Sequence, residues 1–140
     1  MLNFFKKIYY EKYCKKSYSL SNVDLIIDRI FLKKEKGIYI DVGCNHPIKF
    51  NNTYKLYKKG WRGINIDLDK ESIDQFNSLR QRDTNIQALV TSFDNEEKEL
   101  YFYHDRSAIN TLSKDLAKTR NNNYKEIRKV RGQSLNTILE

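Results

Sequence analysis

Ile38-Tyr39-Ile40-Asp41-Val42-Gly43-Cys44-Asn45 is the stretch that decides the fold. Its β-branched and aromatic residues run up to an acid and then a glycine. Such a run reads as a short strand ending in a sharp turn. In an open α/β sheet, ligands bind outside the carboxyl ends of the strands. Asp41, Gly43 and Asn45 therefore stand where a ligand would sit. Gly43 lets the backbone turn tightly and come close to that ligand. The N–H groups and helix start that follow can face a carboxylate or phosphate.

The pattern on either side supports this reading. Upstream, Ser21 opens a helix, with Asp24 three residues later in the manner of a capping box. Val23, Ile26, Ile27, Ile30 and Phe31 form one apolar stripe that reads as core, and Gly37 closes the segment. Downstream, Asn51 and Asn52 can cap a helix that runs to Lys59 and ends at Gly60. Gly63-Ile64-Asn65-Ile66-Asp67 is a second strand. Asp69 caps a helix from Lys70 to about Arg82, with Ile73, Phe76 and Leu79 turned inward. Ile86 to Thr91 is a third strand. Helix and strand alternate, which implies a parallel sheet with crossover helices. The pattern then changes. Leu100 to Tyr103 reads as a strand, and 105–123 as a polar loop holding one short helix from Ser113 to about Thr119. Tyr124 to Val130 is a further strand, and Ser134 to Leu139 starts a helix. No internal repeat is present.

Composition bounds the class. The chain has 140 residues, enough for one domain with a core of its own. Hydrophobic residues are 39% and charged residues 31%, a globular balance. One Pro and five Gly exclude collagen-like and linker-rich architectures. No run approaches the roughly 18 apolar residues of a membrane helix. Lysines interrupt the apolar residues of the N-terminus, so it lacks the core of a signal peptide. Cys14 and Cys44 make neither a disulfide framework nor a zinc site, which points to a reducing, cytoplasmic setting. Nothing in the pattern requires a metal.

Net charge is +8. The functional reading of that charge is a polyanionic partner. The plainer one is compositional bias, because Lys outnumbers Arg more than two to one and the basic residues run along the whole chain. Residues 1–20 form a basic, aromatic extension in which Leu2, Phe5, Ile8, Tyr9 and Tyr13 fall near helical spacing. Packing on its own domain is the plainer expectation for it. A place on a membrane surface through residues 1–16 is the sharper one. Its tyrosines and lysines suit stacking on bases, but no RNA-binding motif accompanies them, which argues against nucleic acid.

Asp67 ends the second strand, 26 residues after Asp41. An acid there can accept both ribose hydroxyls of an adenosine cofactor. Gln87 and Ala88 end the third strand nearby, within reach of an adenine edge. The dinucleotide fingerprint G-x-G-x-x-G is absent, since Gly43 is the only glycine in its turn. A pyrophosphate is poorly served. Asp41 suits an ammonium group instead, as on the methionine end of S-adenosylmethionine.

Several spaced segments together resemble one family. They are Tyr39 to Pro47, Asn51-Asn52-Thr53-Tyr54, Gly60 to Asp67, Arg80 to Asn85, Asn110-Thr111-Leu112-Ser113 and Ser134 to Leu139. In this order they resemble the FkbM-type methyltransferases over roughly residues 36–140. The resemblance implies a Rossmann-like class I α/β fold, a mostly parallel sheet with flanking helices, within 21–140. It implies S-adenosylmethionine as cofactor and O-methylation of a sugar or other hydroxylated small molecule. By position it puts Asp41, Gly43 and Asn45 around the methionine part and Asp67 on the ribose. Leu68 falls beside the adenine, with Gln87 and Ala88 near its edge. Asn110 and Thr111 lie in the loop that faces the acceptor. The family continues into a fourth strand that pairs with the free edge of the first, and this chain ends at Glu140, before it. The expectation is thus a domain incomplete at its C-terminus, with an open edge on 38–43 that invites self-association or a partner chain. The alternative to a methyltransferase is a non-catalytic half-domain that binds a nucleoside cofactor or a protein.

Other tempting residues have plain roles in this reading. His46 shapes a loop, Cys44 packs, and Asn51 to Thr53 cap a helix. Trp61 packs on the sheet. Arg82 and Asp83 form an ion pair. No catalytic residue is assigned.

Overall fold

The computed structural model describes residues 14–140. The element order is α1 (Val23–Ile30), β1 (Ile38–Val42), α2 (Tyr54–Lys58), β2 (Arg62–Asp67), α3 (Lys70–Leu79) and β3 (Thr84–Gln87). Then come β4 (Val90–Thr91), β5 (Glu97–Phe102), α4 (Lys114–Thr119), β6 (Glu126–Arg131), β7 (Gln133–Ser134) and α5 (Leu135–Leu139). Strands β1, β2 and β3 lie side by side in that order, all parallel. The expected α/β class, with parallel strands and flanking helices, is what the chain adopts. A parallel β4–β7 pair and an antiparallel β5–β6 pair complete it.

The register sorts the side chains of the sheet. Ile38, Ile40 and Val42 lie level with Arg62, Ile64 and Ile66, so these residues share one face. Tyr39 and Asp41 share the other with Gly63 and Asn65. Helices α1, α2 and α3 collect on this second face. Tyr39, Leu56 and Trp61 form a buried cluster there, with Ile27 of α1 and Tyr57 of α2 packed against it. Cys44, Ile73 and Phe76 form a second buried cluster, under α3.

Strand β1 is an edge among the described residues. The Gly37 carbonyl accepts from Arg62 N–H at 3.1 Å, and Gly43 N–H donates to the Ile66 carbonyl at 2.8 Å. Peptide groups alternate in direction along a strand. Tyr39 and Asp41 therefore bond towards β2. Ile38, Ile40 and Val42 present their N–H and C=O groups at the open edge. Their side chains are also 77%, 43% and 52% exposed. One strand thus combines an unpaired ladder with an uncovered apolar row, which is a template for strand addition.

Several expectations need correction. The α1 stripe is not core. Val23, Ile26, Ile30 and Phe31 are exposed, and Ile27 alone joins the main cluster. Ser21 does not open that helix. Asn22 stands at its N-cap in the left-handed region, and the Ser19 hydroxyl accepts from Val23 N–H. Asp24 makes no capping box. It is buried and takes hydrogen bonds from the Ser17 hydroxyl and Tyr18 N–H, which ties the incoming chain down. Gly37 is far from the helix end and lies against the Trp61 ring. Leu79 is exposed. The third strand splits after Ala88, whose N–H gives the last ladder bond, to the Asp67 carbonyl, and β4 then pairs with β7. Residues 14–18 form no helix, and the remainder of the expected N-terminal helix lies outside the described residues. No helix among the described residues is long and apolar enough to cross a membrane.

The basic residues are less evenly spread than they first read. Residues 114–131 hold seven basic side chains against two acidic ones. On the antiparallel β5–β6 pair, however, Arg131 lies opposite Glu97 and Lys129 opposite Glu99. Opposite charges facing across a ladder favour it, so the two acids offset part of this basic run.

Gly63 sits beneath the Tyr39 ring, and an added Cβ would overlap that ring. Gly63→Ala is expected to cost about 1–3 kcal/mol through overpacking. The check is a lower urea midpoint at unchanged slope.

Candidate functional site

A cavity of about 530 Å³ opens at the carboxyl ends of the parallel strands. That volume is within the range of small-molecule sites. Each strand delivers one part of its wall. After β1 come Gly43 and Asn45, after β2 Asp67 and Leu68, and after β3 Gln87 and Ala88. Leu100 and Phe102 of β5 form an apolar side, and the loop 105–112 brings Arg106, Asn110 and Thr111. Every sequence-assigned residue except Asp41 thus lines one cavity.

The turn after β1 is bent as its residues permit. Gly43 has φ +72°, with open space where a Cβ would be. Its need for glycine is therefore conformational rather than steric. Asn45 follows in the left-handed region at φ 51°, a conformation asparagine tolerates. Its N–H donates to Asp67 Oδ2 at 2.8 Å. Asp69 N–H donates to Asp67 Oδ1 at 2.9 Å. One carboxylate therefore fastens the turns after β1 and β2 together. Burial pushes the Asp67 carboxyl above its ordinary range, and the N–H donors of Asp69 and Asn45 oppose that rise. Gln87 Nε2 is held by the Leu68 carbonyl at 3.2 Å, which leaves its Oε1 as an acceptor.

Asp41 is placed differently. It is not on the cavity wall. Its Oδ2 accepts from Thr53 Oγ1 at 2.7 Å and from Asn51 Nδ2 at 3.2 Å. The carboxylate thus looks towards α2 and supports the turn from behind.

Behind it lies a residue whose importance the sequence reading missed. Arg80 is 0% exposed. Its Nε and Nη2 donate to the Pro47 carbonyl at 2.8 and 2.5 Å. Nη2 also reaches Asn51 Oδ1 at 2.6 Å, and Nη1 reaches Thr53 Oγ1 at 2.9 Å. The guanidinium packs over the Phe76 and Tyr54 rings. Its ionic partner is Asp83 at 3.9 Å, not the expected Arg82–Asp83 pair. Arg82 instead stacks on Tyr57 and bonds its carbonyl. Asp83 takes N–H of Gly63, the Asn65 amide and the Tyr39 hydroxyl. Burial, then that bond to Asp83, holds the Tyr39 phenol well above its usual range. An Arg-x-x-Asp spacing was the one trace of this network in the sequence.

The plain roles hold for most of the neighbours. Asn51 Oδ1 accepts from Thr53 and Tyr54 N–H just ahead of α2, but Thr53, at the N-cap, makes no side-chain cap and gives its hydroxyl to Asp41. His46 Nδ1 accepts from Ile48 and Lys49 N–H, both at 3.0 Å, which shapes its loop. Burial and then the nearby cations lower its pKa. Cys44 is buried and its thiol pushed far up by burial, so it packs rather than reacts. Trp61 is buried against Tyr39 and Leu56.

The chain matches no family model, no curated protein and no solved structure.

Proposed function

We propose that the chain is a Rossmann-like, FkbM-type methyltransferase domain that binds S-adenosylmethionine in this cavity and serves O-methyl transfer to a sugar or other hydroxylated small molecule. One observation carries the reading. Asp67, at the end of β2, is an acid on the cavity wall whose oxygens each keep a lone pair beyond the N–H bonds of Asn45 and Asp69. Those lone pairs suit the two ribose hydroxyls. Gly43 and Asn45 leave backbone free to run beside the methionine part. Leu68 and Ala88 give an apolar wall for adenine, and Gln87 Oε1 can accept from its amino group. Asp41 has no contact with the cofactor in this reading and acts by holding the turn. Asn110 and Thr111 face the acceptor from the loop.

Bound there, the cofactor would supply a sulfonium methyl for in-line attack by the acceptor hydroxyl, and positioning would give most of the rate. Calorimetric titration with S-adenosylhomocysteine tests the binding. Saturable binding to the wild-type chain, lost in a folded Asp67→Ala variant, is expected. A folded chain that takes up none removes the reading.

The open edge of β1 favours a second reading, a nucleoside-binding half-domain that works as a pair of chains. It predicts concentration-dependent association in sedimentation velocity. Ile40→Lys, which puts a charge on the exposed row, should shift that association towards monomer. A monomer at every concentration in both chains would remove it.

A further inference from the structure

We infer that Asp69 is a positioning residue whose carboxylate latches the loop 104–112 shut over the cavity. Its Oδ1 accepts from Ser72 N–H at 2.8 Å and so caps α3. Its Oδ2 accepts from Arg106 N–H at 2.9 Å, across 37 residues of sequence. The Arg106 guanidinium then reaches back to Gln75 Oε1 of α3 at 3.0 Å. Arg106 holds the left-handed region at φ 54°, unusual for a long side chain, so the contact fixes a backbone that would otherwise relax.

The base of the loop is fastened separately. Tyr101 and Thr111 exchange both backbone bonds, and Asn110 bridges Tyr103 N–H and the His104 carbonyl. The tip is not. Among the described residues, Arg106 makes the hydrogen bonds that join 104–108 to the body of the chain. A firm base with one carboxylate at the tip is the anatomy of a latch. Asp69 N–H also donates to Asp67 Oδ1. The turn after β1, the cofactor acid and the acceptor loop are thereby strung on two adjacent carboxylates. The consequence for ligand residence rests on the proposed cofactor reading; the latch itself does not.

Asp69→Asn separates the two jobs of the side chain. Asparagine is a good helix cap, but it offers one oxygen where Asp69 uses two. Amide hydrogen exchange of the ligand-free chain reads both sites at once. Exchange at Arg106 should rise about tenfold or more, as expected for loss of a charge-assisted bond, while Ser72 stays protected. Asp69→Ala should expose both amides. Unchanged exchange at Arg106 in either variant overturns the latch. A second arm follows dissociation of S-adenosylhomocysteine, which should be about tenfold faster from Asp69→Asn. If the wild-type chain binds none, the cofactor reading falls and the exchange result still decides the latch.

Discussion

Arg80→Ala is expected to destabilise the chain by about 3–5 kcal/mol, the usual cost of breaking a buried ion pair by removing one partner. The reason lies in what the substitution leaves behind. The Pro47 carbonyl, the Asn51 side-chain oxygen and the Thr53 hydroxyl would all lose a buried donor. The Pro47 carbonyl would be left with no donor among the described residues, at about 1–3 kcal/mol, while Asn51 and Thr53 keep their other partners. The Asp83 carboxylate, itself fully buried, would lose its cation. A domain of this size has only about 5–15 kcal/mol to lose, so a sizeable unfolded fraction is expected in water. Urea denaturation followed by circular dichroism is the check. Arg80→Lys should recover less than half of the loss. An ammonium is a point donor and cannot span Pro47, Asn51 and Thr53 as a planar guanidinium does. An Arg80→Ala chain within 1 kcal/mol or so of wild type would show that the network is not a keystone of the fold.

That network also marks the limit of what the sequence makes legible. Three helix starts were readable because each cap is completed within four residues, whereas the cap expected at Ser21 failed. Asp69 accepts from Ser72 N–H, Ser113 from Leu116 N–H and Ser134 from Thr137 N–H. The parallel strands were readable because the β-rich runs and their glycine turns are local too. Arg80 reaches Pro47 across 33 residues, and Asp69 reaches Arg106 across 37. No local pattern encodes such distances. The α1 stripe failed for another reason. Periodicity says which side of a helix is apolar, but not whether anything lies against it, and only Ile27 found the core. Asp41 shows a third kind of limit. Its place at a strand end is a property of the chain, but the direction of its carboxylate was settled by Asn51 and Thr53.

Asp67 is the second position where a large effect is expected, and pH makes it diagnostic. Two ribose hydroxyls bonded to a carboxylate contribute about 1.5–3 kcal/mol each. Asp67→Ala should therefore weaken S-adenosylhomocysteine by roughly a hundredfold or more, since about 1.4 kcal/mol is a factor of ten. Asp67→Asn should not rescue it, because an amide has one oxygen to meet the N–H groups of Asn45 and Asp69. Binding needs the charged form, which burial disfavours. The carboxyl titrates above its ordinary value in the unliganded chain. Affinity is thus expected to fall as pH drops through that raised pKa. The stability of the unliganded chain should move the opposite way. A group whose folded pKa is raised binds its proton more tightly in the folded state, so it favours folding at low pH and loses that contribution as pH rises through the folded pKa. Between the raised value and the ordinary carboxylate range, acidification should therefore strengthen the empty fold at Asp67 while it shrinks the thermal shift produced by ligand. Asp67→Asn removes the proton and should flatten both dependences. Thermal melts of the two chains across this window, with and without S-adenosylhomocysteine, measure all four slopes. A wild-type ligand shift that stays constant over the window would mean that the ribose does not rest on this carboxylate.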